Sequence, residues 1–452
     1  MGVLLGLFVG AVAVGGLLWL ERPQPRPAPP PAPGPAEVAL AAMRAGVPPA
    51  LRDLAVLIGE RERHLRAHPR DARAWAVLGT AYVERGRRTA DAAHYPTAER
   101  ALRTSLKVRP GNAGALEGMT ALANARRDFR AARTWGEAAV KADGRRWTTQ
   151  SLLIEAYTGV GDYKAARSTL ERLQKLHSGR AVMVRSAAVY WDRGWREDAV
   201  ATLADAAAGA EAPAERAAWL ERAGQLAWER GDREVALRYF EAAVRADPDQ
   251  RSAKAGQARA LAALGRTDEA LSAYRLALAE RPSPQYALEL GELYEALGLE
   301  QPARAQYDLL HAHVRSAAAG GVDEELVRGR YEADHGDPEE AVRLLRDEWR
   351  KQPGIAVADA LGWALHRAGE NEEALEYAVR ATDKEHGGGV RSALYAYHRG
   401  MIENSLGLPG PARRHLEEAL RINPYFSPLF APLAREKLQA LGEPPEVPVP
   451  AA

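Results

Sequence analysis

Small, apolar and polar positions recur along this chain with a period of about 34 residues, and each period holds two amphipathic stretches of helix length. In Ala217–Gln250 the marked residues are Gly224, Gly231, Ala236, Phe240, Ala243 and Pro248. In Arg251–Pro284 they are Ala258, Gly265, Ala270, Tyr274, Ala277 and Pro282. Counted from the start of each copy, these are positions 8, 15, 20, 24, 27 and 32. Gly at 15 ends the first helix, because a residue without Cβ enters the left-handed region at little cost. Asp at 16 (Asp162, Asp232, Asp337) is placed to cap the second helix. Pro at 32 cannot continue a helix and closes the unit. Small residues at 8 and 20 let the two helices approach, and larger apolar residues at 4, 7, 11 and 24 fill the space between them. The period predicts an all-α chain of stacked helical hairpins.

Ten copies can be followed, starting near Ala72, Ala113, Trp147, Arg180, Ala217, Arg251, Pro284, Val322, Ile355 and Ala393. The first carries Trp75, Leu78, Gly79, Tyr82, Ala98 and Pro110, with about seven extra residues near Arg87–Ala93. The last shows Gly400, Gly407, Ala412, Leu416, Ala419 and Pro424. This W-x₂-L-G-x₂-Y, A-x₃-F-like and P spacing resembles the tetratricopeptide repeat family over residues 72–427. The resemblance implies an α-α superhelix of about ten hairpins. At the family's seven to eight repeats per turn, it would wind a little over one superhelical turn. Trp75 and Tyr82 are expected in the core, while Glu332 and Glu403 stand where position 11 is normally apolar. Residues 37–71 read as N-terminal helices, 428–441 as a capping helix and 442–452 as a disordered tail.

Val3–Leu20 is an unbroken apolar run of 18 residues, ended by Glu21 and Arg22. As a helix it would span about 27 Å, enough for a hydrocarbon core. It lacks the basic start and the A-x-A-like site of a cleaved signal peptide. Residues 1–21 are therefore read as a transmembrane anchor in preference to a signal sequence, with the repeats outside the cytoplasm. The eight prolines of Arg22–Ala36 form a linker over 22–36, either a polyproline II spacer or a looser tether.

The formal net charge of +1 argues against a nucleic-acid partner. With no cysteine, disulfides, thiolate metal sites and Cys nucleophiles are excluded. The excess of Arg over Lys, with abundant Ala, Gly and Pro, reads as a bacterial chain from a GC-rich genome. Apparent catalytic motifs dissolve on inspection. His386-Gly387-Gly388-Gly389 looks like an oxyanion loop but has no G-x-S-x-G partner anywhere in the chain. His311 and His313 would point to opposite sides of a helix and cannot share a metal. No enzyme, cofactor, metal or small-molecule substrate is expected.

What remains is a binding surface. In the family the resemblance names, the concave groove is lined by positions 2, 5, 6, 9, 12 and 13 of each first helix. Carried over, these are Arg185 and Arg222 at position 6, then Gln225, Arg259, Arg330 and Trp363 at position 9. Positions 12 and 13 add Trp191, Trp228, His366 and Arg367. Trp and Arg dominate binding hot spots, though Trp here can equally pack between hairpins. No copy carries the Lys at 5 and Asn at 9 with which chaperone-binding members of the family grip a C-terminal carboxylate. The expected function is a membrane-anchored scaffold for protein–protein interaction or complex assembly. The alternative is a factor similar to those of cytochrome c maturation, presenting a client polypeptide, for which the stretch from His68 to Gly79 is the resemblance.

Overall fold

The computed structural model describes residues 32–280, 283–383 and 389–442. The membrane run at 3–20, the proline linker up to residue 31, His386 and most of the tail at 442–452 lie outside the described residues. The chain divides into Met1–Gly34 and Pro35–Ala452. Of the first unit only residues 32–34 are described, and they form no helix.

The second unit begins with α1 (Pro35–Arg44) and α2 (Leu51–Ala67). Ten helical hairpins follow. The first five are α3 (Ala72–Thr89) with α4 (His94–Val108), α5 (Ala113–Ala125) with α6 (Phe129–Ala142), α7 (Trp147–Gly159) with α8 (Tyr163–Leu176), α9 (Arg180–Asp192) with α10 (Arg196–Ala208), and α11 (Pro213–Glu229) with α12 (Arg233–Ala246). The other five are α13 (Arg251–Ala263) with α14 (Thr267–Glu280), α15 (Pro284–Ala296) with α16 (Glu300–Ala319), α17 (Glu325–His335) with α18 (Pro338–Lys351), α19 (Ile355–Arg367) with α20 (Asn371–Thr382), and α21 (Ala393–Ser405) with α22 (Pro409–Ile422). A last helix, α23 (Phe430–Ala440), covers the end of the stack. All described elements are helical, as in a solenoid of this kind.

Local chemistry explains the hairpins. Gly231 follows α11 at φ 84°, in the left-handed region where a Cβ would be strained. Arg127 occupies the same position in the second repeat and is forced to φ 59°. Asp162 and Asp337 cap their helices through Ala165 N and Glu339 N. Asp232 stands at the cap position without a side-chain cap bond, and pairs with Arg230 at 3.2 Å instead. Within a hairpin, Gly224 admits the fully buried Phe240, whose ring atoms would lie 2.7 Å from a Cβ at that position. Trp75 and Tyr82 are only half-buried at the edge of the first core cluster. Glu403 is buried in the core position it was expected to disturb, bonded to Arg399 at 2.9 Å and His415 at 2.6 Å. Burial pushes its carboxyl up, but His415 and Arg399 outweigh that and hold it below its ordinary value.

The coil is tighter than the expected seven to eight repeats per turn. Loops about 195 residues apart meet edge to edge. Arg126 Nε donates to Gly320 O at 2.9 Å across 194 positions. Ile355 N donates to Tyr163 Oη at 3.0 Å across 192. Asn423 Nδ2 donates to Trp228 O at 2.8 Å across 195. Gly194 lies against Gly389 in the same way. Each contact joins the turn inside one repeat to the loop that follows the repeat five further on. With a repeat of about 34 residues, one superhelical turn of this unit takes between five and six repeats. Small residues on the inner helices allow the curl. Phe240 packs against Gly256 of the next repeat as well as its own Gly224, and Leu102 packs against both Gly79 and Gly118.

The expected location at a membrane is corrected. Among the described residues, no helix is long and apolar enough to cross one. The reason is the architecture: nearly every described helix is one half of a short hairpin, with fewer residues than a membrane span needs. The longest, α16 at 20 residues, carries Glu300, Arg304, Asp308 and Arg315.

Candidate functional site

The first helices of the repeats face the inside of the coil, and three cavities lie along that face. The N-terminal one, about 190 Å³, is lined by Thr80, Glu117, Ser151, Arg185 and Arg222 with Trp147 and Trp219. Arg146 grips Glu117 with both nitrogens, at 3.0 and 2.8 Å, and Thr148 and Thr149 donate to the same carboxylate. Arg185 donates to Ser151 Oγ at 3.2 Å and lies 3.5 Å from Glu155. Burial pushes the Glu155 carboxyl up, but Arg185, Arg87 and Arg222 outweigh it and hold it below its ordinary value. Arg222 is exposed and makes no hydrogen bond or ion pair among the described residues.

The central cavity, about 570 Å³, lies where two coils meet. Its walls include Trp191, Asp192, Gln225, Trp228 and Glu229 from the fourth and fifth repeats, and Arg330, Gln352 and Tyr395 from the eighth to tenth. Burial, and then Glu229, push the Asp192 carboxyl up to about 7, with Arg185 pulling the other way. Burial also raises Glu229, although Gln225 donates to it at 2.8 Å. Burial pushes the Tyr163 hydroxyl up to about 12.

The C-terminal cavity, about 390 Å³, shares Trp228, Arg330, Leu394 and Phe426 with the central one. Arg259 bonds Gln225 at 2.9 Å and pairs with Glu289 at 3.1 Å. Asp359 and His398 are buried beside each other, Oδ1 to Nδ1 3.0 Å, with the Trp363 ring stacked 4.2 Å from the His398 ring. The Asp359 Oδ2 and His398 Nε2 have no partner.

Eight of the ten residues singled out from the repeat positions therefore line these cavities: Arg185, Trp191, Arg222, Gln225, Trp228, Arg259, Arg330 and Trp363. The cavities succeed one another along the coil, the central and C-terminal ones sharing walls, so the structure spreads these residues along the inner face and does not gather them into one pocket. Trp191, Trp228 and Trp363 also belong to the core clusters and are over nine-tenths buried. His366 bonds Asn371, and the exposed Arg367 reaches Ala333 O and Asp334; neither lines a cavity. Asp192, Glu229, Asp359 and His398 were not singled out. They sit at positions 13, 13, 5 and 6 of their repeats, so the same rule would have found them had it been applied to acids and His. Among the described residues no cluster of His, Asp and Glu could hold a metal ion. His311 packs edge-on against Tyr331.

The tetratricopeptide repeat family matches residues 221–287. No curated protein matches the chain. Among solved structures, a human IFIT1 dimer with PPP-AAAA is 16% identical over 76% of this chain and 81% of that one, with a TM-score of 0.48. A tetratricopeptide repeat protein from Parabacteroides merdae is 18% identical over 58% of this chain and 99% of its own, with a TM-score of 0.34. The yeast Tom70 is 12% identical over 81% and 97%, with a TM-score of 0.33. Such likeness bears on the fold alone. The exclusion of nucleic acid is nevertheless corrected, because IFIT1 carries PPP-AAAA within this type of fold. Net charge sums the whole surface, whereas recognition depends on the local field inside a cleft. The matched repeats and the ten stacked hairpins together support reading the chain as a tetratricopeptide repeat protein, an architecture suited to a protein-interaction scaffold.

Proposed function

We propose that this chain is a scaffold that holds an extended segment of another protein along the concave channel inside its coil. The observation that supports this most directly is that the channel already holds such a segment. After α1 the chain turns at Gly46, and Gly46, Val47 and Pro48 lie along the N-terminal cavity, with Val47 packed on the core cluster that includes Val184 and Trp219. The partner's contacts would be spread along the channel, as in other extended-peptide recognition. Arg185, Arg222, Gln225, Arg259 and Arg330 would supply polar contacts, and the small cavity-facing parts of the otherwise buried Trp191, Trp228 and Trp363 would supply apolar ones. His366 and Arg367 would act only at the outer rim. A role in presenting a client polypeptide, as in cytochrome c maturation, would use the same channel; no feature of its geometry favours that client over others.

Arg222 and Arg330 are the guanidiniums to test, since neither has a hydrogen bond or ion pair among the described residues. Their reversal breaks no direct native pair, although Arg222→Glu also removes a cation that acts on Glu155. Crosslinking in intact cells followed by mass spectrometry is expected to recover a client with the wild type and several-fold less with Arg222→Glu/Arg330→Glu. Equal recovery by both chains would remove the channel as the binding surface.

A further inference from the structure

The segment Gly46–Ala50 has the features of a removable occupant. Val47 N still bonds Ala42 O at 3.0 Å, which ends α1 and redirects the chain at Gly46, φ 65°. Beyond that turn the two prolines have no N–H and fix φ near the polyproline II value, and Ala50 continues at φ −64° and ψ 141°. No hydrogen bond among the described residues joins 45–50 to the channel wall. The segment is held by packing: Val47 against the core cluster that includes Val184 and Trp219, and Gly46 so close to Trp147 that a Cβ would lie 2.6 Å from its ring. Beneath it the N-terminal cavity keeps polar groups with room to spare, and Arg222 at the wall makes no direct hydrogen bond or ion pair among the described residues, although its charge helps hold the Glu155 carboxyl down.

We propose that Gly46–Ala50 occupies the site of an extended, proline-containing apolar segment of a partner, flanked by a carboxylate that meets Arg222, and that the two compete for it. This rests on the reading of the channel as a peptide-binding surface. The match is chemical. Proline-containing segments arrive already extended and lose little entropy on docking, and the aromatic walls Trp147 and Trp219 take proline rings and Val side chains. A tethered occupant with no hydrogen bonds to the wall yields to a partner that adds an ion pair.

The chain has no cysteine, so Val47→Cys places a single thiol in the full-length protein. The probe is a synthetic peptide with the sequence of residues 46–50 followed by Glu. Maleimide is expected to label Val47→Cys slowly in the free protein and on the order of tenfold faster with saturating peptide, because displacement exposes the thiol. Gly46→Val, which drives a Cβ into Trp147, is expected to bind fluorescent peptide roughly tenfold more tightly than the wild type, since the competing state is lost. Val47→Asp is the second releasing variant, free of the backbone strain at 46, should Gly46→Val melt early. Labelling unmoved by peptide, with both releasing variants binding it no better than the wild type, overturns the proposal. If client recovery in cells still depends on Arg222 and Arg330 in that case, the channel reading stands and only the built-in occupant falls.

Discussion

At the scale of single residues, the inside of the coil is where charge is treated most unusually. Asp192 has no hydrogen bond or ion pair among the described residues, and burial beside Glu229 pushes it up to about 7 from an ordinary 3.8. An acid whose folded value is raised binds its proton more tightly in the fold than in the unfolded chain. Stability is therefore lost as pH climbs from near 4 to near 7, and the loss is complete above that. Asp192→Asn removes this titration. Relative to the wild type, the variant is expected to gain roughly 2 kcal/mol between pH 4 and pH 8 in urea unfolding, after discounting for its partial exposure to the cavity. A difference that stays flat across that range would show that Asp192 is solvated. Glu403 shows the opposite arrangement, a buried acid with two cationic partners, and its cost to the core is met locally. From the sequence alone Glu403 looked like a defect in the repeat pattern; Arg399 lies one turn before it on its own helix, a spacing helix geometry brings together, but His415 comes from the facing helix and only the fold shows it aimed at the carboxylate.

At the scale of elements, the hairpin is specified by pairs of residues that must fit each other. Phe240 is fully buried between Gly224 of its own repeat and Gly256 of the next. Gly224→Val would overpack this space and is expected to cost about 2–3 kcal/mol in chemical denaturation, with part of the loss recovered by Phe240→Leu in the double variant. If the two changes simply add, the contact between Gly224 and Phe240 is not what sets the separation of the helices. This layer was almost wholly legible beforehand. The 34-residue spacing, the glycines that end first helices and the small-to-large matching at positions 8 and 24 each follow from local steric requirements. Exceptions arise where two solutions serve equally well. Arg127 and Ala90 take the left-handed turn without being Gly, and Asp232 keeps the cap position while giving its side chain to Arg230.

At the scale of the whole coil, the edges of successive turns are fastened by a few polar bonds. Arg88, almost wholly buried, bonds Asp247 at 2.7 Å and Gln250 at 3.2 Å, and Asn423 bonds Trp228 O near the other end. A solenoid is stabilised mainly by contacts between neighbouring repeats, so cutting these fasteners should open the coil without melting its helices. Arg88→Ala/Asn423→Ala is expected to raise the radius of gyration in solution scattering while leaving helical circular dichroism unchanged. An unchanged radius would mean that curvature within each repeat interface sets the pitch. An opened coil would also be expected to admit clients faster, because the channel is closed by the turn stacked upon it.

The period, the hairpins, the all-helical class and the residues facing inward were all written in the order of amino acids, because each depends on neighbours within one or two repeats. The tight pitch, the arrangement of three cavities along the inner face, the burial of Trp191 and Trp228 within the core and the placing of Val47 and Pro48 against the channel were not. Those depend on how small angles at ten interfaces accumulate, and on which loops about 195 residues apart then come to rest against one another.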